Sequence, residues 1–252
     1  MPGHRACTQY NQSRLSFAGL TGARNVTTDI PTTGVDLKGR TPPGYIAVEG
    51  PIGVGKTTLA RRLAATFGYP MLLEDAHQNP FLERFYGNQR QAALATQLFF
   101  LFQRAQKIND LRQGDIFAAS RVADFLIEKD PLFARVNLDS DEFQLYQRVY
   151  EQLLIEPPTP DLVIYLQAPT DILLDRIHQR GIDHERAIER DYLERLNEVY
   201  SEFFLYYDEA PLLIVNASEI DLARGEDDYR HLVDYLLDIR SGRHYFNPTF
   251  FG

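Results

Sequence analysis

The chain alternates between short apolar runs and longer segments in which apolar residues recur every three or four positions. The short runs predict buried β-strands, and the periodic segments predict helices packed on a sheet. Strands are expected at 45–48, 70–73, 115–119 (extending as far as 123), 162–166 and 211–216. Helices are expected at 57–67, from 79 onward, and at 91–112, 125–134, 140–154, 171–179, 190–207 and 227–239. This order predicts an α/β fold with a five-stranded, doubly wound parallel sheet and helices on both faces.

Residues 1–43 lack these patterns. They are rich in Thr, Gly, Arg and Asn and end in Gly39-Arg40-Thr41-Pro42-Pro43. We therefore predict a disordered N-terminal extension, and an upstream extension of the start codon would read the same way. A targeting peptide is the alternative, because arginines outnumber acids here, although no amphipathic helix or apolar segment supports it. Residues 44–252 are predicted to form a single domain.

The composition narrows the class of protein. Of the 252 residues, 44% are hydrophobic and 24% are charged, which is ordinary for a globular protein. A net charge of −9 argues against a general nucleic-acid or acidic-membrane binder, and no apolar stretch is long enough for a membrane span. The single cysteine, Cys7, excludes an internal disulfide and is expected in a reducing, cytoplasmic compartment.

The first predicted strand runs into Gly50-Pro51-Ile52-Gly53-Val54-Gly55-Lys56-Thr57-Thr58, which fits the P-loop pattern. Glycines let backbone N–H groups turn inward around a phosphate, and a predicted helix follows, as the motif requires. We expect these residues to bind a nucleoside triphosphate, with Lys56 on the outer phosphates and the Thr57 hydroxyl on Mg²⁺. A chance glycine-rich turn is the alternative. The contacts are expected from Gly50, Gly53, Val54, Gly55, Lys56, Thr57 and Thr58.

Ligands of open α/β sheets bind beyond the carboxyl ends of the strands, and Glu74-Asp75 follows the second predicted strand. A carboxylate there could accept a hydroxyl proton during phosphoryl transfer. Glu74 is the candidate general base. Asp75 is its rival, and a solvated acid at a strand end is the third possibility.

The longest predicted helix places Gln97, Phe100 and Arg104 on one face, since Gln97 and Arg104 are seven residues apart. An amide and a guanidinium beside an aromatic ring suit the edge of a nucleobase. A polar stripe on a solvated helix would show the same spacing.

Four arginines, Arg176, Arg180, Arg186 and Arg190, surround a glycine break after the fourth predicted strand. Arginines on a lid segment there could stabilise charge on a transferring phosphoryl group. An ordinary charged surface is the alternative.

Together these residues resemble the deoxynucleoside kinase family, across about 45–239. The specific features are an ordered set: Glu74, the Phe85-Tyr86 pair, Gln97 and Arg104, an Asp after the third strand, and Asp175-Arg176-Ile177-His178-Gln179-Arg180-Gly181. The segment Asn79-Pro80-Phe81-Leu82 is similar to bacterial purine-type members. The resemblance implies a P-loop kinase domain over 44–252 with an arginine-bearing lid, and a homodimer.

The resemblance also implies roles for individual residues. Glu74 would deprotonate the 5′-hydroxyl of a deoxynucleoside, and Tyr86 with Glu185 would hold its 3′-hydroxyl. Gln97 would pair with the base edge. The remaining implied contacts are Arg104 and Asp130 at the far side of the base, Arg176 and Arg180 on the donor phosphates, and Thr57 and Asp124 at Mg²⁺.

Two positions depart from the family pattern. Where relatives carry Glu-Arg-Ser or Asp-Arg-Ser after the third strand, this chain has Asp124-Phe125-Leu126, and Arg121 is the one candidate to replace the missing arginine. Ile182 stands where many relatives have a further lid arginine.

The predicted reaction is transfer of a phosphoryl group from ATP or another triphosphate to a deoxynucleoside 5′-hydroxyl, in nucleotide salvage. Purine deoxynucleosides are the favoured acceptors, and deoxycytidine is the alternative. Two rivals remain open at this point. A nucleoside monophosphate kinase, such as a thymidylate kinase, would need arginines for the acceptor phosphate. A nucleotide-binding regulatory protein with a decayed site is the other, and Phe125 is the residue that suggests it.

Overall fold

The sheet has six strands in the part of the chain that the structure describes. This computed structural model describes residues 35–113, 120–153, 155–221 and 225–248. The strands are β1 (Tyr45–Glu49), β2 (Met71–Leu72), β3 (Arg121–Ala123), β4 (Leu162–Gln167), β5 (Leu212–Asn216) and β6 (Arg243–Phe246). Their order is β2-β3-β1-β4-β5-β6, and every described pair is parallel. The predicted parallel α/β fold is confirmed.

The predicted number of five strands was wrong, because β6 follows the last predicted helix. Its sequence Arg243-His244-Tyr245-Phe246 has no continuous apolar run, and Tyr245 is 65% exposed. An edge strand needs no such run, since it is less covered than a central strand. The predicted strand at 115–119 lies outside the described residues, and the described β3 matches only its possible extension.

Eight helices surround the sheet within the described ranges. They are α1 (Lys56–Phe67), α2 (Leu82–Gly87), α3 (Gln89–Gln113), α4 (Asp130–Asn137), α5 (Ser140–Gln152), α6 (Thr170–Arg180), α7 (Arg190–Tyr206) and α8 (Glu226–Leu236). None of them combines the length and the apolar character needed to cross a membrane.

The helix predicted at 125–134 is divided in the structure. Leu126 is extended, a short 3₁₀ turn covers Ile127–Lys129, and α4 begins at Asp130 with Pro131 in its first turn. Proline is well tolerated at that position. The extended backbone at Leu126 lets its N–H donate to Glu49 Oε2 at 2.8 Å, so a tertiary contact replaces the first helical turn.

Helices cover both faces of the sheet, as β1 illustrates. All of β1 is buried. Ile46 and Val48 pack in one cluster with α1 and α8, and Tyr45 and Ala47 pack in another with α7. Successive side chains of a strand point to opposite faces, so a strand covered on both sides needs a continuous apolar run. The carboxyl ends of β1, β2 and β3 then lie side by side.

Residues 1–34 lie outside the described residues, so disorder there stays a prediction. The rest of the predicted extension, 35–43, contacts α8. Lys38 Nζ lies 2.9 Å from Asp234 Oδ2, and Arg40 pairs with Asp234 and Asp238.

Candidate active site

The loop between β1 and α1 is shaped by glycines at positive φ. Gly50 has φ 150° and Gly53 has φ 84°. A Cβ on Gly50 would lie 2.5 Å from the Leu166 carbonyl oxygen, and one on Gly53 would lie 2.9 Å from that of Leu173. Because both contacts are with backbone atoms, neither position has room for a side chain. The loop is therefore a close-packed cradle that ends at the N-terminus of α1, where an anion is favoured.

Lys56 folds back over this cradle. Its Nζ donates to the carbonyl oxygens of Gly50 at 2.7 Å and Pro51 at 3.1 Å. Burial lowers the pKa of Lys56 to about 8, with the positive charge of Lys129 acting in the same direction and Glu49 opposing it. The ammonium thus lies inside the loop, and its contact with the outer phosphates stays a prediction.

Thr57 and Asp124 bring two oxygens together beside the loop. Thr57 Oγ1 donates to Asp124 Oδ2 at 2.6 Å, and the Glu74 N–H donates to Asp124 Oδ1 at 2.7 Å. Burial raises the pKa of Asp124, which the hydrogen bonds from Thr57 and Glu74 oppose. A hydroxyl and a carboxylate suit Mg²⁺, which binds few protein oxygens and keeps waters and substrate phosphates as its other ligands. The residues present therefore fit this ion.

Glu74 and Asp75 have different surroundings. Arg104 donates through Nε to Glu74 Oε1 at 2.8 Å and through a second nitrogen to the same oxygen, and Lys129 Nζ lies 3.7 Å from Oε2. Asp75 instead pairs with Lys107 at 2.8 Å, and its side chain is 32% exposed. Burial raises the pKa of Glu74, but the charges of Arg104 and Lys129 outweigh it and hold that pKa at about 2. Glu74 is thus an ionised carboxylate on the side of the P-loop.

The predicted polar face of α3 is buried, so it is not a solvated stripe. Gln97 is 3% exposed and Arg104 is 4% exposed. Arg104 donates to Asp130 Oδ1 as well as to Glu74, and its guanidinium carbon lies 5.2 Å from the centre of the Phe100 ring. Asp130 is fully buried, and its Oδ2 has no hydrogen-bond partner among the described residues. A buried acceptor without a donor costs about 1–3 kcal/mol, which a ligand donor could recover.

Tyr86 and Glu185 come together although they are distant in sequence. The Tyr86 ring stacks on His184, with ring centres 6.1 Å apart and planes 7° apart. Glu185 accepts a hydrogen bond from Arg180. Burial raises the pKa of Tyr86, and the nearby Tyr192 and Glu185 add to this effect. The 3₁₀ turn Asp183–Ala187 therefore forms a wall opposite α2.

Two of the four clustered arginines line a cavity of about 530 Å³ at the P-loop. Its lining consists of residues 53–58, of Arg176, Gln179 and Arg180 on α6, and of residues 218–221 after β5. Arg176 donates to the Val54 carbonyl at 3.2 Å and the Ala217 carbonyl at 2.7 Å. Arg186 and Arg190 are exposed and pair with Asp183 and Asp171. The size suits a nucleotide-sized ligand.

Neither Phe125 nor Arg121 contributes a cation to this site. Phe125 is 1% exposed in the core. Arg121 begins β3, where its guanidinium lies 5.5 Å from the Tyr45 ring, and so occupies the amino end of the strand rather than the carboxyl end. The proposal that Arg121 replaces the missing arginine was wrong.

Sequence reasoning missed three parts of the site: residues 218–221, Glu49 and Lys129. Residues 218–221 lie just beyond β5, so they could have been predicted from the rule that ligands bind beyond the carboxyl ends of the strands. Glu49 and Lys129 gave no signal, because their partners lie far away along the chain.

Comparisons with known proteins agree with this geometry. A family model described as "Deoxynucleoside kinase" matches residues 46–239. The deoxyguanosine kinase of Bacillus subtilis (strain 168) is 33% identical over 200 residues, which cover 77% of this chain and 97% of that protein. The deoxyadenosine/deoxycytidine kinase of the same strain is 30% identical, and the match covers 77% of this chain and 92% of the relative.

Solved structures give the same result. The structure of deoxyadenosine kinase from M. mycoides with bound dATP has a TM-score of 0.67 and 27% identity, and the match covers 77% of this chain and all of that one. A second structure of that enzyme, with products dCMP and a flexible dCDP bound, has the same TM-score at 26% identity.

Proposed function

Because this chain belongs to the deoxynucleoside kinase family, we propose that it phosphorylates the 5′-hydroxyl of purine deoxynucleosides. That a nucleoside triphosphate is the donor and a deoxynucleoside the acceptor follows from the family. The observation that supports this choice of acceptor is a pair of buried ion pairs beside the P-loop, in which Arg104 binds both Glu74 and Asp130. The Arg104 guanidinium thus links Glu74, the candidate general base, to Asp130, the candidate residue for recognition of the nucleobase.

Recognition of the nucleobase rests on Gln97 and Asp130. The free Oδ2 of Asp130 is a buried acceptor, so it favours a base that presents an N–H group toward it. Adenine and cytosine carry an exocyclic amino group, and guanine carries two adjacent donors, whereas thymine offers only its ring N–H. The names of the relatives, which include deoxyguanosine and deoxyadenosine kinases, support the purine preference.

The sugar would lie between α2 and the turn at 183–187. There Tyr86 and Glu185 offer a hydroxyl and a carboxylate for a 3′-hydroxyl, with His184 stacked on the Tyr86 ring. In this position the 5′-hydroxyl would point toward Glu74 and the P-loop.

Phosphoryl transfer requires little covalent chemistry from the protein, so positioning and charge carry the catalysis. Glu74 stays ionised because its pKa is about 2. It would align the 5′-hydroxyl and take its proton while that oxygen bonds to the γ-phosphorus and the bond from the γ-phosphorus to the leaving nucleoside diphosphate breaks. Lys56, Arg176 and Arg180 would neutralise the donor phosphates, and closure of α6 over the cavity would exclude water.

ATP is the proposed donor, held in the cavity of residues 53–58 and 218–221. Thr57 and Asp124 would hold Mg²⁺ with the phosphates, and the ion would supply further charge neutralisation when bound. The product is a deoxynucleoside 5′-monophosphate, and such a step would serve nucleotide salvage.

We also propose a homodimer, formed through α3 and α5. Phe102 on α3 is 51% exposed and Leu145 on α5 is 48% exposed. Five more apolar side chains on these helices, all in one cluster, are only partly buried: Leu94, Leu98, Phe143, Val149 and Tyr150. A broad apolar surface of this kind is typical of a protein–protein contact.

The proposed function is tested by turnover with ATP, Mg²⁺ and each of deoxyadenosine, deoxyguanosine, deoxycytidine and thymidine. We expect a 5′-monophosphate product, with kcat/KM highest for a purine deoxynucleoside and lowest for thymidine. In Glu74→Gln, kcat should fall by about 10²–10⁴-fold, as expected for loss of a general base. Asp75→Asn should stay within about threefold of the wild type, because surface ion pairs contribute little. Thymidine as the best substrate, or near-normal turnover of Glu74→Gln, would contradict the proposal.

A further inference from the structure

Lys129 is a buried cation beside the proposed base. It ends the 3₁₀ turn before α4, and only 1% of the residue is exposed. Lysine is rarely buried so deeply in proteins, because a buried ammonium is costly unless polar partners replace the water that it loses. The partners of Lys129 therefore indicate what it does.

Glu49 is the first partner, and it is rigidly held. Lys129 Nζ lies 3.1 Å from Glu49 Oε2 and 3.3 Å from Oε1. Glu49 also accepts hydrogen bonds from the Gly50 N–H at 2.9 Å, the Leu126 N–H at 2.8 Å and the Tyr200 hydroxyl at 2.9 Å. Two of these donors are backbone groups, so the carboxylate that anchors Lys129 is fixed by the main chain on either side of the site.

Glu74 is the second partner, and its contact is looser. Lys129 Nζ lies 3.7 Å from Glu74 Oε2, beyond the usual hydrogen-bond distance, while Arg104 binds the other oxygen, Oε1. The carboxylate is thus held between two cations from different parts of the chain. The ammonium attracts Oε2 without occupying it, so this oxygen keeps the capacity to accept a hydrogen bond from a ligand.

We propose that Lys129 is a positioning residue for phosphoryl transfer: anchored on Glu49, it orients Glu74 Oε2 toward the acceptor hydroxyl. Through Glu49 it also connects Glu74 with Gly50, the first residue of the P-loop. This inference rests on the proposed function, in which Glu74 accepts the proton of the 5′-hydroxyl.

The first test compares Lys129→Met with Lys107→Met. Methionine keeps the unbranched shape of the side chain, one atom shorter, and removes its charge. Lys107 is a matched control because its partner is Asp75. We expect Lys129→Met to lower kcat by about 10–100-fold, as misplacement of a reacting group does, while KM for ATP and for the deoxynucleoside stays within about threefold. Lys107→Met should keep the kcat of the wild type within about threefold.

The second test repeats Lys129→Met in a Glu74→Gln background. If Lys129 acts through Glu74, the second substitution should lower kcat by no more than about threefold further, because coupled residues are not additive. Effects that multiply in full would overturn the inference, as would a single Lys129→Met variant with wild-type kcat. If Glu74→Gln itself turns over normally, the proposed function fails first. A slow Glu74→Gln with a normal Lys129→Met overturns this inference alone.

Folding is monitored by thermal unfolding of each variant, since Lys129→Met leaves Glu49 as a buried charge without its partner. If that variant does not fold, Glu49→Gln/Lys129→Met is compared with the wild type, because removing both charges avoids an unpaired one. The same loss of about 10–100-fold in kcat is expected for this double variant, and a wild-type kcat would overturn the inference.

Discussion

Glu74 and Asp75 are neighbours in the chain, yet they end in different environments. Glu74 lies among Arg104, Lys129 and the Asp124 carboxylate. Asp75 is partly exposed to solvent and pairs with Lys107. The sequence could place a carboxylate at this strand end but could not separate the two residues. The direction of each side chain depends on its partner on α3, since Arg104 lies 30 residues after Glu74 and Lys107 lies 32 residues after Asp75.

The role of Lys129 could not be predicted from the sequence either. In the sequence it is one lysine in a predicted helix, and nothing nearby distinguishes it from a surface residue. Its partner Glu49 lies 80 residues earlier. By contrast, Lys56 and Thr57 could be predicted, because the P-loop is a local motif whose geometry depends on its own glycines.

Asp130→Asn tests the reading of the nucleobase. Asparagine can still accept from Arg104 through its oxygen, but an N–H₂ group then replaces the free Oδ2 acceptor. We expect kcat/KM for deoxyadenosine and deoxycytidine to fall by about 10–100-fold, since one buried hydrogen bond becomes a donor–donor contact. Thymidine, which carries a carbonyl where cytosine carries its amino group, should lose much less. Steady-state kinetics with the three acceptors measures this, and an equal loss for all three would show that Asp130 acts only on Arg104.

Among the elements, those with strong periodicity or local motifs could be predicted, and those defined by tertiary contacts could not. The continuous apolar runs gave β1, β4 and β5 within a residue or two. The edge strand β6 was missed, and the predicted helix at 125–134 begins at Asp130 because the Leu126 N–H bonds to Glu49. The seven-residue spacing of Gln97 and Arg104 held, because α3 is regular through that stretch.

Gly53→Ala compared with Gly68→Ala tests the cradle between β1 and α1. Both glycines have positive φ, 84° and 68°, but a Cβ on Gly68 would meet nothing within 4 Å. Gly68→Ala should lower the free energy of unfolding by about 1–2 kcal/mol, because a residue with a Cβ is strained at positive φ, and KM for ATP should be unchanged. Gly53→Ala should also displace the loop from the Leu173 carbonyl, so KM for ATP should rise by about tenfold or more. Denaturant unfolding and initial rates give both quantities, and equal KM values would argue against a close-packed cradle.

The molecule as a whole combines two ligand regions that share one sheet edge. The cavity at residues 53–58 and 218–221 faces α6, and the group of Glu74, Arg104 and Asp130 faces α3 and α4. Charge of both signs is concentrated there although the whole chain carries −9. The net charge therefore indicates which partners the surface disfavours, whereas the chemistry of the site depends on a few buried charged side chains.

The proposed dimer is tested by light scattering after size-exclusion chromatography. We expect about twice the chain mass of 28.9 kDa, and each of Phe102→Glu and Leu145→Glu should give the single-chain mass, because a buried charge is costly at a contact. Leu205→Glu is the control, since Leu205 is 63% exposed and lies near the end of another helix, α7. A dimer that survives both substitutions would place the contact elsewhere.

The acceptor itself separates a deoxynucleoside kinase from a monophosphate kinase most directly. Purified protein with ATP and Mg²⁺ is given deoxyguanosine or dGMP, and products are identified by mass. Arg104 and Lys129, the cations beside Glu74, are already paired with Asp130 and Glu49, so their charge does not favour an acceptor that already carries a phosphate. We predict dGMP as the product of deoxyguanosine, with kcat/KM on the order of 10³-fold or more above that for dGMP. Efficient conversion of dGMP to dGDP, with deoxyguanosine left unchanged, would contradict the assignment.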